Sequence, residues 1–330
     1  MKVLVLAPEE RYDTFAAGNE VRKAAELVFC DRGGTEAEWL AAAGDAEVLF
    51  VTPVTWVRES LISRMPNLKM IHCEGVGVDR IDLETARKRG IYVCNNAGCN
   101  AAPVAELSVT LMSMLLHRTL WGHRMVLSGR QLEAQQELDC HAPLDLASAK
   151  VGLVGFGAIA QATAERLRPY GSRVYYYARH RRDPETERAY GVEYLPLHEL
   201  AETCDFISLH LPATVESHHL LDQVFFDHVK PGAYLVNTAR GELVDNLALR
   251  KALMEGKLAG AGLDTLAPEP VTVDNPLVTM PAPACDRVVL APHLGGITEA
   301  SFRRSHLHMW RNAERIADGH RPDNIVNGLE

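Results

Sequence analysis

The chain has 330 residues, of which 47% are hydrophobic and 23% are charged, and its formal net charge at pH 7 is −9. This length and apolar content suffice for two domains with buried cores and exclude a disordered chain. The negative charge disfavours phosphate backbones and anionic lipid surfaces, so we expect neither nucleic acid nor a membrane as a partner.

The start of the chain and its cysteines favour an intracellular protein. The segment MKVLVLAPEE has a short apolar run that meets Glu9 and Glu10, which is typical of a first β-strand rather than a secretion signal. No apolar run approaches the roughly 20 residues of a membrane-spanning helix. The seven cysteines are odd in number and form no C-x-x-C pair, so neither disulfides nor a metal site is expected. The sequence therefore predicts a cytoplasmic protein with reduced thiols.

Short apolar runs alternate with helical patterns along most of the chain, which is typical of β-α-β units and parallel sheets. In the first hundred residues, helices are predicted near 20–28 and 58–64. The predicted strands there are 2–6, 48–51 and 70–73. The alternation resumes with predicted strands at 151–154, 173–177, 206–209, 233–237, 260–263 and 288–290. Two doubly wound parallel α/β sheets are therefore expected in one chain.

The region between the two series of strands has a different pattern. Apolar residues recur at spacings of three and four after Pro103, and proline suits the first helical turn because its missing N–H would have no partner there. Residues 100–119 are therefore predicted to form a linking helix. Residues 120–148 have weaker periodicity, and 131–142 are predicted to be an exposed arm that makes a dimer contact.

A glycine-rich turn follows the strand at 151–154. The segment GFGAIA at 155–160 is a G-x-G-x-x-A pattern that leads into a helix. The first glycine permits the tight turn, the second lets the backbone approach a pyrophosphate, and the helix N-terminus offers N–H groups to the anion. An ordinary tight turn is the alternative. We expect a dinucleotide site, and its residues here are Gly155, Gly157, Ala158 and Ile159.

The end of the next strand bears on the choice between NAD and NADP. An acid about 20 residues beyond the glycines would hold the ribose 2′-OH of NAD. Here the strand ends in ARHRR at 178–182, and Asp183 comes too late. Arginine pairs bidentately with phosphate oxygens, so Arg179 and Arg182 are expected to bind a 2′-phosphate. The sequence predicts NADP(H), with NAD(H) and a merely solvated basic loop as alternatives.

Further motifs follow apolar strands in a fixed order. In the second half of the chain they are NTARG at 237–241, GLDTLAPEP at 262–270 and APHLGG at 291–296. Elsewhere they are GVGVD at 75–79, NNAGCN at 95–100, VAE at 104–106 and GHRPDNIVN at 319–327. Together with the glycine turn, these motifs resemble those of the D-isomer-specific 2-hydroxyacid dehydrogenases over essentially the whole chain.

The resemblance implies an inserted-domain architecture. A Rossmann cofactor domain at 100–294 is inserted into a flavodoxin-like substrate domain formed by 1–99 and 295–330. It also implies homodimers, formed through the cofactor domain and its arm at about 120–148. The expected reaction is NAD(P)H-dependent reduction of a 2-keto acid, as in glyoxylate and hydroxypyruvate reductases.

The resemblance also implies the site residues, and the chemistry of carbonyl reduction supports each role. Arg240 would hold the substrate's carboxylate and carbonyl oxygen. His293 would deliver the proton, since an imidazole titrates near neutral pH, and Glu269 would bond its other ring nitrogen. The further residues expected at the substrate are Val76, Gly77 and Asn100. Those expected at the cofactor are Leu211, Pro212, Thr238, Ala239, Asp264 and His293, and Asp264 would orient the nicotinamide carboxamide.

Three departures from the family pattern narrow the substrate. Glu269 stands where formate dehydrogenases carry Gln, which disfavours formate. Thr52 stands where phosphoglycerate dehydrogenases usually have Arg, which disfavours a phosphorylated substrate. Glu74 precedes Gly75 where many members have a small residue. We hypothesise that Glu74 shapes specificity, for example toward hydroxyl- or amine-bearing substrates; the alternative is that it faces solvent.

His306 and His308 are predicted to form either a packing pair or a surface pair on the last helix.

An enzyme is not the only function that the resemblance allows. The family also includes corepressors, so a cofactor-sensing binding protein without appreciable turnover is the alternative to an enzyme. The retained Arg240, Glu269 and His293 favour the enzyme.

Overall fold

A computed structural model describes residues 1–15 and 20–329, apart from the side chains of Glu20 and Val21. The chain forms two units, of which the first is discontinuous. The first unit comprises Met1–Asn100 and Gly296–Glu330, and the second comprises Ala101–Gly295.

Strands and helices alternate along the described residues. The strands are β1 (Lys2–Val5), β2 (Glu26–Phe29), β3 (Val48–Val51), β4 (Met70–Cys73), β5 (Tyr92–Cys94), β6 (Lys150–Val154), β7 (Arg173–Tyr177), β8 (Val192–Tyr194), β9 (Phe206–Leu209), β10 (Ala233–Asn237), β11 (Leu258–Leu263) and β12 (Val288–Leu290). The helices are α1 (Glu9–Phe15), α2 (Glu20–Ala24), α3 (Glu36–Ala43), α4 (Glu59–Ile62), α5 (Leu83–Lys88), α6 (Ala101–Leu116), α7 (Thr119–Leu127), α8 (Gln131–Cys140), α9 (Ala158–Leu167), α10 (Pro184–Tyr190), α11 (Leu197–Thr203), α12 (Gln223–His228), α13 (Asn246–Met254) and α14 (Glu299–Ala317).

The first unit contains a five-stranded parallel sheet in the order β2-β1-β3-β4-β5. This is the flavodoxin-like order, in which the direction of winding reverses beside β1. Val3, Val5 and Phe50 lie on one face of the sheet and pack against α14. The loops that follow β3 and β4 lie at the carboxyl edge, where doubly wound sheets bind ligands.

The C-terminal segment completes the first unit. Trp310 of α14 is fully buried in the same core as Phe50. Beyond the helix, Ile325 forms a bridge with Cys94, and the N–H of Val326 donates to the carbonyl of Val93 over 2.8 Å. Residues from both ends of the described chain therefore share one core.

The second unit contains a seven-stranded parallel sheet in the order β12-β11-β10-β9-β6-β7-β8. The reversal beside β6 is that of the Rossmann fold. Helix α6 lies close against this sheet, because a Cβ atom on Gly262 would come within 3.0 Å of Leu111. The expected fold class, two doubly wound parallel α/β sheets, is confirmed.

Part of the predicted secondary structure is wrong. Residues 20–28 were expected to form one helix, but α2 ends at Ala24 and Glu26–Phe29 is strand β2. The backbone of residues 27–29 pairs with β1, so sheet formation overrides the helical pattern. The arm at 120–148 contains α7 and α8, which carry exposed apolar residues such as Leu127 and Leu132. Among the described residues, no helix is both long and apolar enough to cross a membrane.

Candidate active site

A histidine and a glutamate are paired in the second unit. The Nδ1 atom of His293 lies 3.0 Å from both carboxylate oxygens of Glu269. Both side chains are partly exposed, His293 by 31% and Glu269 by 21%. A carboxylate at this position fixes the orientation and the tautomer of the ring. The Nε2 atom is then the one suited to exchange a proton with a bound molecule.

Asp264, at the carboxyl end of β11, holds the segment that carries His293. Its backbone carbonyl accepts the N–H of His293 over 2.8 Å. Its carboxylate oxygens accept the N–H groups of Leu294 and Gly295 over 2.8 and 2.9 Å. The side chain is almost fully buried. The role expected for Asp264 at the nicotinamide stays a prediction, and its structural role is to fix the loop of His293.

Arg240 follows β10 and is half-buried. Its carbonyl accepts from the Nδ2 of Asn237 over 2.8 Å, and its Nη1 donates to the carbonyl of Ala239 over 2.7 Å. The next residue, Gly241, approaches the chain that leads to Glu269 so closely that a Cβ atom would lie 2.2 Å from the backbone nitrogen of Ala267. The segments that carry Arg240 and Glu269 are thus in direct contact.

The glycine turn has the geometry of a phosphate-binding loop. Gly155 has a φ of +96°, and a Cβ atom there would lie 2.5 Å from the carbonyl oxygen of His210, so only glycine fits. Gly157 begins α9 without a side-chain cap, and a Cβ atom there would meet nothing within 4 Å. The start of α9, at Ala158 and Ile159, therefore has open space beside Gly157, and an uncapped helix N-terminus is suited to an anion.

The charged residues of the loop after β7 have different hydrogen-bond partners. Asp183 caps α10 by accepting from the backbone and hydroxyl of Thr186, both over 2.8 Å. Arg181 is paired with Glu187, whereas Arg182 donates to the carbonyl of Phe156 in the glycine turn over 3.0 Å. Asp183 is thus occupied locally. The sequence D-P-E-T already carried this capping signal.

The remaining residues expected at the cofactor also lie on loops of the second unit. Thr238 is buried, and its hydroxyl lies 2.8 Å from that of Ser108 on α6. Ala239 donates its N–H to the Oδ1 of Asn237 over 3.0 Å. Pro212 is exposed and Leu211 partly so, beside the glycine turn, since Leu211 lies 3.2 Å from a Cβ atom built on Gly155.

In the first unit, the loop at 75–77 is held from its carbonyl side. The carbonyl of Val76 accepts from the Nδ2 of Asn95 over 2.7 Å, and that of Gly77 accepts from the Sγ of Cys73 over 3.1 Å. A Cβ atom on Gly75 would lie 2.1 Å from Pro53, so the loop packs tightly against the turn after β3. The NNAGCN motif therefore supports this loop, a role that the sequence did not reveal.

Asn100 lies at the end of the first segment of this unit. Its Oδ1 is buried and has no hydrogen-bond partner within the residues that the structure describes. The preceding residue, Cys99, is fixed because Arg304 of α14 donates to its carbonyl from Nε and Nη2 over 2.9 and 2.7 Å. A buried acceptor without a partner is a group suited to bind a ligand.

Comparison with known proteins agrees with this arrangement. Residues 109–295 match the sequence model described as "D-isomer specific 2-hydroxyacid dehydrogenase, NAD binding domain". The chain belongs to the D-isomer-specific 2-hydroxyacid dehydrogenase family. It is accordingly an NAD(P)-dependent oxidoreductase of the 2-hydroxyacid class, and its second unit carries the NAD-binding domain.

Relatives and solved structures match nearly the full length. The glyoxylate reductase of Thermococcus litoralis is 38% identical over 287 residues, which cover 86% of this chain and 83% of that protein. The glyoxylate reductase of Thermofilum pendens is 36% identical, over 88% of this chain and 84% of that one. The D-lactate dehydrogenase of Aquifex aeolicus, solved with NAD and lactic acid, superposes with a TM-score of 0.86 at 28% identity over the whole of both chains.

Proposed function

We propose that this chain reduces glyoxylate or a similarly short 2-keto acid, such as hydroxypyruvate, with NADPH as the preferred reductant. The observation that carries the proposal is the His293–Glu269 pair, in which one ring nitrogen is 3.0 Å from both carboxylate oxygens. The relatives named as glyoxylate reductases, at 33–38% identity, support the substrate class.

The roles of the residues follow from the needs of the reaction. The 2-keto acid must be held by its carboxylate, polarised at its carbonyl and given a proton. We assign the carboxylate and the carbonyl oxygen to Arg240, with the N–H groups of Val76 and Gly77 as further donors to the carboxylate. His293 donates the proton, and Asn100 lines the substrate. Electrostatic and acid–base assistance of this kind supplies most of the catalysis available to such a site.

The second unit fits a dinucleotide, whose reduced nicotinamide supplies the hydride when it is bound. Gly155 makes the tight turn, and Gly157 leaves room for the pyrophosphate at the uncapped start of α9. Arg179 and Arg182 are assigned to the 2′-phosphate of NADPH. Two observations support this preference: Arg179 is exposed at the end of β7, and Asp183 is occupied in capping α10.

The assembly and location complete the proposal. The arm at 120–148 exposes Val126, Leu127 and Leu132, and burial of this surface in a homodimer would stabilise the pair. We propose a homodimer formed through this arm. A cytoplasmic location, suggested by the cysteine usage, is part of the same proposal.

The decisive experiment compares NADPH and NADH as reductants for glyoxylate, hydroxypyruvate, pyruvate and phenylpyruvate. We expect turnover to be highest with NADPH and either glyoxylate or hydroxypyruvate, and the product of hydroxypyruvate reduction should be the D-isomer. A preference for NADH would contradict the assignment of Arg179 and Arg182. Tight dinucleotide binding without turnover of any acid would instead favour a cofactor-sensing binding protein.

A further inference from the structure

Glu74 follows β4 and directly precedes the loop at 75–77, yet its side chain is buried and only 6% of the residue is exposed. Its Oε1 lies 2.7 Å from the Nε2 of His306 on α14, and its Oε2 lies 2.6 Å from the Nη2 of Arg11 on α1. The alternative that Glu74 faces solvent is therefore wrong. Both carboxylate oxygens are engaged by the protein itself.

His306 is fully buried, which agrees with the packing role and not the surface role that the sequence left open for it. Its ring packs on Tyr12, with 4.3 Å between the ring centroids. Its Nδ1 is buried and has no partner within the described part of the chain. Nε2 is therefore the ring nitrogen that donates to the carboxylate of Glu74, because a carboxylate oxygen accepts.

Arg11 supplies the balancing charge. Its guanidinium lies over the ring of Phe302, 5.1 Å from the centroid, and its side chain is 21% exposed. The carboxylate of Glu74 is thus bound by the guanidinium of Arg11 at one oxygen and by a ring nitrogen of His306 at the other. An unbalanced carboxylate next to an anion site would repel a 2-keto acid, whereas a paired one has little net field at a distance.

The backbone of Glu74 connects the cluster to the loop. Its N–H donates to the carbonyl of Val51, and its carbonyl accepts from the Nδ2 of Asn96, both over 2.8 Å. The loop itself has glycine at positions 75 and 77, and these residues have no side chain with which to pack. Glu74 therefore links both α1 and α14 to this loop, beside a second link in which His308 of α14 contacts Asn96 and the N–H of Asn96 donates to the carbonyl of Gly75.

We propose that Glu74 is a positioning residue, which holds the loop at 75–77 in the conformation that receives the substrate carboxylate, and that Arg11 and His306 act through it. The proposal rests on the assignment of the N–H groups of Val76 and Gly77 to that carboxylate. It replaces the hypothesis that Glu74 contacts a hydroxyl or amine of the substrate, because both of its oxygens are already engaged.

The test is a KM-against-kcat comparison in the full-length protein with NADPH and glyoxylate. Glu74→Ala and His306→Leu should each raise the KM for glyoxylate about tenfold, which corresponds to about 1.4 kcal/mol of binding. The kcat should stay within about threefold, because the proton donor is untouched. His306→Gln, which keeps an N–H near the position of Nε2, should restore most of the affinity. The Kd of NADPH should not change.

Two controls separate positioning from stability and from simple charge effects. Asn327→Ala removes a buried side chain that bonds Val93 and Ile91; it should lower the Tm without changing the KM. If the charge of Glu74 merely repelled the substrate, Glu74→Ala would lower the KM, and an unchanged or lowered KM overturns the proposal. Should Glu74→Ala fail to fold, equal KM values for His306→Leu, His306→Gln and the unaltered protein would overturn it.

A neutral carbonyl compound distinguishes this proposal from the proposed function. Glycolaldehyde has the aldehyde of glyoxylate but no carboxylate, so the unaltered protein should strongly prefer glyoxylate, and Glu74→Ala should narrow that preference. If the unaltered protein treats both compounds alike, the carboxylate site itself is wrong. If it prefers glyoxylate and Glu74→Ala keeps the full preference, only the positioning role is overturned.

Discussion

The backbone carbonyl of Asp264 accepts the N–H of His293 over 2.8 Å, and His293 itself has a φ of +56°. Left-handed backbone costs a residue other than glycine about 1–2 kcal/mol. The carboxylate of Asp264 offsets this cost by binding the next two N–H groups. Asp264 therefore sets the direction of the imidazole, while Glu269 sets the rotation of the ring.

The acid–base assignment predicts the effect of His293→Ala. With saturating 2-keto acid, kcat should fall by roughly 100- to 10,000-fold, because positioned proton transfer typically contributes that much. The Kd of NADPH, measured by the fluorescence of the nicotinamide, should change little. His228→Ala is the matched control, since it removes an exposed histidine that lies 3.2 Å from Glu202. Full activity of His293→Ala would refute the assignment.

The preference for NADPH over NADH should depend on Arg179 but not on the nearby Arg181. Arg179→Ala should raise the Kd of NADPH about tenfold, the loss of one charge-assisted phosphate contact, and leave that of NADH unchanged. Arg181→Ala should alter neither, because Arg181 is bonded to Glu187 over 2.8 and 2.9 Å. Isothermal titration of the unaltered protein and both variants with each dinucleotide measures these constants. Equal losses for NADPH and NADH in Arg179→Ala would contradict a contact with the 2′-phosphate.

The two glycines of the turn should respond differently to alanine. Gly155→Ala places a Cβ atom 2.5 Å from a carbonyl oxygen at a φ of +96°, so it should lower both the Tm and the dinucleotide affinity. Gly157→Ala meets no neighbouring atom, so it should change stability by no more than about 1 kcal/mol. Its dinucleotide affinity should nevertheless fall, because the added methyl group occupies the space beside the helix start. Unchanged affinity in Gly157→Ala would argue against pyrophosphate binding there.

The buried His72 predicts how stability depends on pH. Burial lowers the pKa of His72 from 6.5 to about 3 in the folded protein. The unfolded chain therefore binds the extra proton between these pH values, and the stability present above pH 6.5 is lost as the pH falls toward 3. Between pH 7 and pH 5 this single group should remove about 2 kcal/mol. Urea unfolding of His72→Leu should show a correspondingly smaller pH dependence, and an equal dependence would refute the prediction.

Much of the second unit could be predicted from its sequence. Strands β7, β9, β10 and β12 have the predicted bounds, because each is a short apolar run between polar turns. The short strands β5 and β8 were missed, because neither is a continuous aliphatic run like β12, and β8 has the charged Glu193 at its centre. Strand β2 was missed because its pairing with β1 is a non-local contact that the local pattern does not contain.

The sequence was sufficient to predict which residues form the candidate site, but not the hydrogen bonds that hold them in place. Motif order was sufficient to select His293 and Glu269, which the fold brings together. The roles of Asp264, as the anchor of a loop, and of Glu74, as part of a buried cluster, depend on hydrogen bonds to residues 30 or more positions away. Partners that are so far apart in the chain leave no local spacing pattern by which a single sequence would reveal them.

The discontinuous first unit has a consequence for the order of folding during translation. The ribosome releases residues 1–100 first, but their core lacks Trp310 and the bridge to Ile325 until the last part of the described chain has been made. The second unit, continuous from 101 to 295, has all its strands before α14 emerges. It can therefore fold while the nascent first unit still exposes one face of its sheet, and this face is where a chaperone would be expected to bind.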